Sequence, residues 1–158
     1  MIDFRRLLHA LKNAKVEFVI VGGVAATLHG SARLTADLDI VYGRSKENIR
    51  KIVHALTPLR PYLRGAPAGL PFRFDEPTVR AGLNFTLTTD AGPLDVLGEI
   101  AGGFDYSVLR RRSAIFQIYG RRFRVINIDA LIENKIAAGR PKDLEVVGEL
   151  EVIREENA

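Results

Sequence analysis

Two carboxylates one residue apart, in Ala36-Asp37-Leu38-Asp39-Ile40-Val41, are the residues here best placed for chemistry. On a β-strand alternate side chains share a face, so Asp37 and Asp39 project together while Leu38 and Ile40 turn toward a core. Like charges so close repel unless a proton or a cation intervenes, and hard carboxylate oxygens suit a divalent ion. Asp95, in Leu94-Asp95-Val96, is a lone acid on a second apolar segment. If its strand lies beside the first, three carboxylates meet around a shared metal. The bland alternative is a pair of solvent-facing acids at a strand end, and the triplet alone does not discriminate.

The elements that must position these acids can be read from periodicity and punctuation. Phe18 to Val21 is a short β-branched run ended by Gly22-Gly23, after which Val24 to Leu28 resumes helical composition until Gly30. Strand, tight glycine turn and helix follow. A glycine pair there lets backbone approach a ligand closely and aims the amides of a helix N-terminus at an anion, although most such turns only reverse the chain. Together with metal-binding acids, the pair offers what a nucleoside triphosphate needs: donors for phosphate oxygens and Mg²⁺ to neutralise them.

Around this unit, Phe4, Leu7, Leu8 and Leu11 predict an amphipathic helix over 3–14 capped by Asp3, and Ser45 caps a helix over 46–56. Prolines 58, 61, 67 and 71 predict an irregular surface loop over 57–71. Strands are expected at 72–74, 84–88 and 94–97. Ile115–Tyr119 and Phe123–Ile128 read as a hairpin turning at Gly120-Arg121-Arg122. Asp129 is the expected N-cap of a helix through Ala138, and Pro141 opens a last helix to about Glu155. The expectation is a single α/β (α+β) domain over 1–158. It has a mixed, mostly antiparallel sheet of five to seven strands, helices packed mainly to one side, and the metal site at the sheet edge that the glycine turn exposes.

Composition narrows the function classes. The chain has 158 residues, 47% hydrophobic and 27% charged, without an apolar run long enough to span a bilayer, so neither a membrane protein nor a disordered chain is expected. It has no Cys, which excludes disulfides, thiolate metal sites and a cysteine nucleophile. The amphipathic N-terminus lacks a signal-peptide core, and a cytoplasmic location is expected. Charge is uneven: Phe104 to Arg124 carries Arg110, Arg111, Arg112, Arg121, Arg122 and Arg124 against Asp105 alone, for a net +5, whereas Asp143 to Glu156 carries a net −5. A basic strand and hairpin tip near the active face would suit an RNA backbone. The alternative is charge balance with the acidic C-terminal helix, within the chain or across a homodimer.

The stretch Val19-Ile20-Val21-Gly22-Gly23-Val24-Ala25-Ala26, then His29-Gly30 and Arg33-x-Thr35-x-Asp37-Leu38-Asp39, resembles the small nucleotidyltransferase-fold proteins of the DNA-polymerase-β-like superfamily, especially the stand-alone bacterial ones linked to toxin–antitoxin systems. Leu94-Asp95-Val96 matches their third carboxylate. Ile128-Asp129-Ala130-Leu131-Ile132-x-x-Lys135-x-x-Ala138-x-Arg140-x-Lys142-Asp143 resembles their C-terminal helical motif. Gly22-Gly23 departs from the Gly-Ser of many members and matches the toxin-like branch.

The resemblance implies transfer of a nucleoside monophosphate from an NTP to a hydroxyl of an RNA, including tRNA, or of a protein. Two Mg²⁺ ions about 3.5–4 Å apart would clamp the attacking and departing oxygens. Asp37 and Asp39 would bridge both ions, and Asp95 would complete the one that activates the acceptor. Gly22, Gly23, Arg33 and Lys135 would bind the nucleotide, with Arg140 assisting. Lys135 reads equally as a solvated helix position, Arg140 as part of the turn before Pro141, and His29 as structural. A second reading is a low-turnover binding module with a cognate toxin or antitoxin as partner.

Overall fold

The computed structural model describes residues 2–158. In chain order the elements are α1 (Phe4–Asn13), β1 (Phe18–Val21), α2 (Gly22–His29), β2 (Leu38–Tyr42), α3 (Lys46–Leu56), a single 3₁₀ turn (Thr57–Leu59), β3 (Tyr62–Leu63), α4 (Glu76–Ala81), β4 (Phe85–Thr89), β5 (Gly92–Leu97), β6 (Glu99–Ile100), β7 (Phe104–Asp105), α5 (Tyr106–Arg111), β8 (Ser113–Ile118), β9 (Arg121–Ile126), α6 (Ile128–Ala138) and α7 (Pro141–Glu156). Seven strands form one mixed sheet in the order β3-β4-β5-β2-β1-β9-β8, and β6 and β7 pair separately. Within the large sheet β1/β9 and β2/β5 are parallel and the other pairs antiparallel. The fold is thus α/β with a mostly antiparallel sheet flanked by helices.

The core explains the order. All four β1 residues are buried, and because successive side chains point to opposite faces, the centre of the sheet is covered on both. The helices therefore do not gather on one side as expected: α3 packs against both α1 and α4 in one group, and α2, α6 and α7 contact one another in another. Toward one margin β4 alternates buried Phe85 and Leu87 with exposed Thr86 and Thr88, so one sheet face stays open beside β5.

Asp3 caps α1 and Ser45 caps α3 through bonds to Arg6 N and Asn48 N, as predicted. Other boundaries moved. Asn127, not Asp129, caps α6, its Oδ1 accepting from Ala130 N at 2.8 Å. The β8–β9 turn is Tyr119-Gly120, both left-handed at φ 51° and 77°, so Arg121 already pairs with Ile118 in the ladder. Residues 72–74 form no strand, and the proline-rich segment contributes β3, which adds a strand beyond β4. Helices α4 and α5 lie where sequence periodicity was too short to register. No helix among the described residues is long and apolar enough to cross a membrane.

Candidate active site

The site begins at the end of β1. Val21 pairs with Asp39 across the antiparallel ladder, and Asp39 pairs with Asp95 across the parallel one. Three strands thereby fix the two acids without a loop, and Asp37 follows one residue before β2. Carboxylate oxygens of Asp37, Asp39 and Asp95 all lie within 4.8 Å of one another. The acids therefore meet as the spacing anticipated, against the Gly22-Gly23 turn, with Asp37 just before β2, Asp39 on β2 and Asp95 on β5, two strands adjacent in the middle of the sheet order.

The turn itself is built around Asp39. Gly22 has φ +66°, and a Cβ there would fall 2.0 Å from Asp39 Oδ2, while a Cβ on Gly23 would fall 2.6 Å from Thr35 Oγ1. Glycine is required twice over: for the left-handed backbone at position 22, and for the close approach of backbone to acid and hydroxyl. Val21 stands at the N-cap of α2 and makes no side-chain capping bond, so the first-turn amides keep their capacity for an anion.

Asp39 is in an unfavourable place for a bare carboxylate. Burial, then the charge and hydrogen bond of Asp95 and the charge of Asp37, push its carboxyl from an ordinary 3.8 up to about 8, with Lys135 opposing. Its Oδ1 is shielded from solvent and has no hydrogen-bond partner among the described residues. An orphaned buried carboxylate oxygen among three converging acids fits a divalent cation, whose preferred donors are such oxygens.

Opposite the acids, α6 and α7 present cations. Asp143, 2% exposed at its side chain, binds both Lys135, at 3.4 Å from Nζ to Oδ1, and Arg140, at 2.6 Å from Nε to Oδ2. It also accepts from Arg140 N, closing a capping box at the start of α7. Burial disfavours its charge, but the bond from Arg140 and the charges of Lys135 and Arg140 prevail and hold its carboxyl below the usual range. A cleft of about 380 Å³ is lined by the three site acids, Gly23, Arg33, Thr35, Lys135, Arg140, Lys142 and Asp143. A second cavity of about 240 Å³ shares Asp39, Lys135, Arg140 and Asp143 and adds Gly22, Asn84, Glu99 and Asn134.

The expected site residues Gly22, Gly23, Asp37, Asp39, Asp95 and Lys135 thus come together. Arg33 lines the cleft with its guanidinium 3.7 Å from both Glu145 and Glu149. His29 lies away from it, its Nε2 2.7 Å from Ile126 O and its ring edge-on to Phe116. Asp143 was overlooked as a site residue, although an acid three residues after Arg140 and two after Pro141 is a legible capping-box signal. Arg64 was also missed: its Nη2 donates to Asp95 Oδ1 at 2.7 Å, and its Nη1 lies 3.6 Å from Asp37 Oδ2. Nothing local in the proline-rich segment marks it, because β3–β4 pairing brings it there.

The arginine cluster does not face the site as one patch. Since β9 runs parallel to β1, the hairpin tip at Arg121 and Arg122 lies at the end opposite Gly22, where Lys12 Nζ donates to Arg122 O at 2.6 Å. Arg110–Arg112 sit at the other end of β8, with Arg112 paired to Glu133.

No protein-family model and no curated protein matches the sequence. Solved structures do. A candidate nucleotidyltransferase from Thermotoga maritima, TM1012, superposes with a TM-score of 0.60 at 18% identity over 94% of each chain. The chain has the nucleotidyltransferase fold. Two other solved structures share it: the lincosamide antibiotic adenylyltransferase LnuA, lincomycin-bound, with TM-score 0.60, 15% identity and 96% of this chain against 98% of that one, and ANT(2")-Ia in complex with adenylyl-2"-tobramycin, with TM-score 0.57, 16% identity and 96% against 92%.

Proposed function

We propose that the protein is a Mg²⁺-dependent nucleotidyltransferase that moves a nucleoside monophosphate from an NTP to an acceptor hydroxyl. The observation that carries this reading is the convergence of Asp37, Asp39 and Asp95 around an orphaned carboxylate oxygen, directly beneath the Gly22-Gly23 turn. The fold shared with adenylyltransferases whose acceptors are antibiotics supports it.

In the reaction, an acceptor oxygen attacks the α-phosphorus, the bond to the bridging oxygen of the β-phosphate breaks, and pyrophosphate leaves as the acceptor proton is lost. Mg²⁺, when bound by Asp37, Asp39 and Asp95, would acidify the acceptor hydroxyl and stabilise charge on the departing oxygens. The α2 amides meet phosphate oxygens. Lys135 and Arg140 add positive charge at positions set by Asp143, so little reorganisation is needed when the triphosphate arrives. Asp37, Asp39, Asp95 and Asp143 formally cancel Arg33, Lys135, Arg140 and Lys142 in the cleft. The side chains lining the cleft therefore cannot alone meet the charge of a triphosphate, which is the electrostatic reason for divalent metal.

The acceptor is proposed as a hydroxyl compound that approaches the cleft without the hairpin tip, because Arg121 and Arg122 stand at the far end of the sheet. The acidic α7 spends Asp143, Glu145 and Glu149 within the chain, on Lys135, Arg140, Arg33 and Ser31. None of these acids pairs with Arg110, Arg111, Arg112, Arg121, Arg122 or Arg124, so the expected balance of that stretch by the C-terminal helix is not made through them. Incubation with each labelled NTP, Mg²⁺ and separate RNA, protein and small-molecule fractions of a lysate tests the reading. Label should move to one fraction and be lost in Asp37→Ala and Asp39→Ala; undiminished labelling by those variants rejects it.

A further inference from the structure

Three carboxylates within 4.8 Å cannot all remain charged without a counter-ion, and a guanidinium already stands among them. Arg64 reaches Asp95 at 2.7 Å and Asp37 at 3.6 Å, and makes no bond to Asp39, whose Oδ1 stays orphaned. Its placement is built in. Arg64 N donates to Thr86 O at 3.0 Å, continuing the β3–β4 ladder, and the Leu87 carbonyl accepts from Nε at 3.2 Å and from Nη2 at 2.7 Å. The side chain is nevertheless 30% exposed and borders open sheet face, so it has somewhere to go.

We propose that Arg64 is the resident counter-ion of the Asp37–Asp95 pair, so that a divalent ion binds this site in competition with the guanidinium and not at a vacant cage. The inference rests on the metal-site reading above and deepens it. A single guanidinium shared by Asp37 and Asp95 leaves the site with excess negative charge, which keeps it receptive to a doubly charged ion. The same charge, within 4 Å of two ligand carboxylates, repels that ion and lowers its affinity. Metal binding is thereby held weak until a triphosphate brings an alternative anion for the displaced guanidinium, which couples the two ligands.

Titration of the full chain with Mn²⁺, followed by electron paramagnetic resonance of the free ion and without nucleotide, tests this. Arg64→Gln should tighten Mn²⁺ binding by about tenfold, since one nearby repulsive charge is removed from a partly screened site. Arg64→Lys, which keeps the charge but loses the fork that spans both acids, should tighten it less. Arg60→Gln, which breaks the exposed Arg60–Asp90 pair nearby in sequence, should leave it as in the wild type. Unchanged or weaker binding in Arg64→Gln overturns the inference alone, because it makes Arg64 a support that pre-organises the acids. If Arg64→Gln does not fold, Arg64→Lys decides by the same comparison, any tightening supporting and none overturning. Mn²⁺ bound by none of these proteins overturns the inference together with the metal-site reading.

Discussion

Burial and two neighbouring acids push the Asp39 carboxyl to about 8, and this makes metal-free stability depend on pH. The folded protein keeps a proton on this carboxyl up to about 8, whereas an unfolded chain releases it near 3.8. The contribution is complete below the lower value and is lost as pH rises through the higher one. Chelator-treated wild type should therefore lose on the order of a few kcal/mol relative to Asp39→Asn between those values, and Mg²⁺ should restore it in the wild type only. Calorimetry of both proteins across that interval checks the difference, and parallel profiles contradict it. Asp143 makes a second prediction. Its removal in Asp143→Asn leaves half-buried Lys135 without its partner and frees the exposed Arg140, costing about 2 kcal/mol. In steady-state kinetics the KM for NTP should rise about tenfold, with kcat less affected, because the two cations lose their fixed positions.

At the scale of elements, what could be read from the chain depended on whether the deciding contact was local. Asp3 and Ser45 cap the helices immediately after them, so both N-termini were foreseeable. Asn127 and Asp129 are both good caps two residues apart, and the choice fell to Asn127 because β9 ends at Ile126 and delivers it in extended backbone. Asn127→Ala should accordingly cost about 1 kcal/mol in urea denaturation. Asp129→Ala, which loses only an exposed pair with Arg154, should stay within about 0.5 kcal/mol. The acid triad was legible because β-strand alternation and apolar flanks are properties of a few consecutive residues. Arg64 was not, because its role depends on β3 pairing with a strand more than twenty residues later. The two-sided covering of the sheet escaped for the same reason: helical periodicity marks an apolar face but not which face of the sheet it meets.

For the whole molecule, topology sets apart residues that composition had grouped. Six arginines in one stretch suggested a single basic surface, yet the parallel β1–β9 pairing sends Arg121 and Arg122 to the end away from the acids. Replacing both with Ala should leave transfer to the physiological acceptor within about twofold if that acceptor is small, since surface changes remote from the site rarely propagate. A loss of ten-fold or more in the transfer assay would assign the tip to acceptor binding. If the three acids serve nucleotidyl transfer and not another reaction of a bound triphosphate, the α- and γ-phosphates part company. NTP labelled separately at the α- and γ-phosphorus, incubated with Mg²⁺ and the acceptor fraction, follows each. With nucleotidyl transfer, α-label enters the acceptor while γ-label leaves as pyrophosphate, and Asp39→Asn abolishes both. γ-label on the acceptor, or α-label incorporation that survives that substitution, would contradict it.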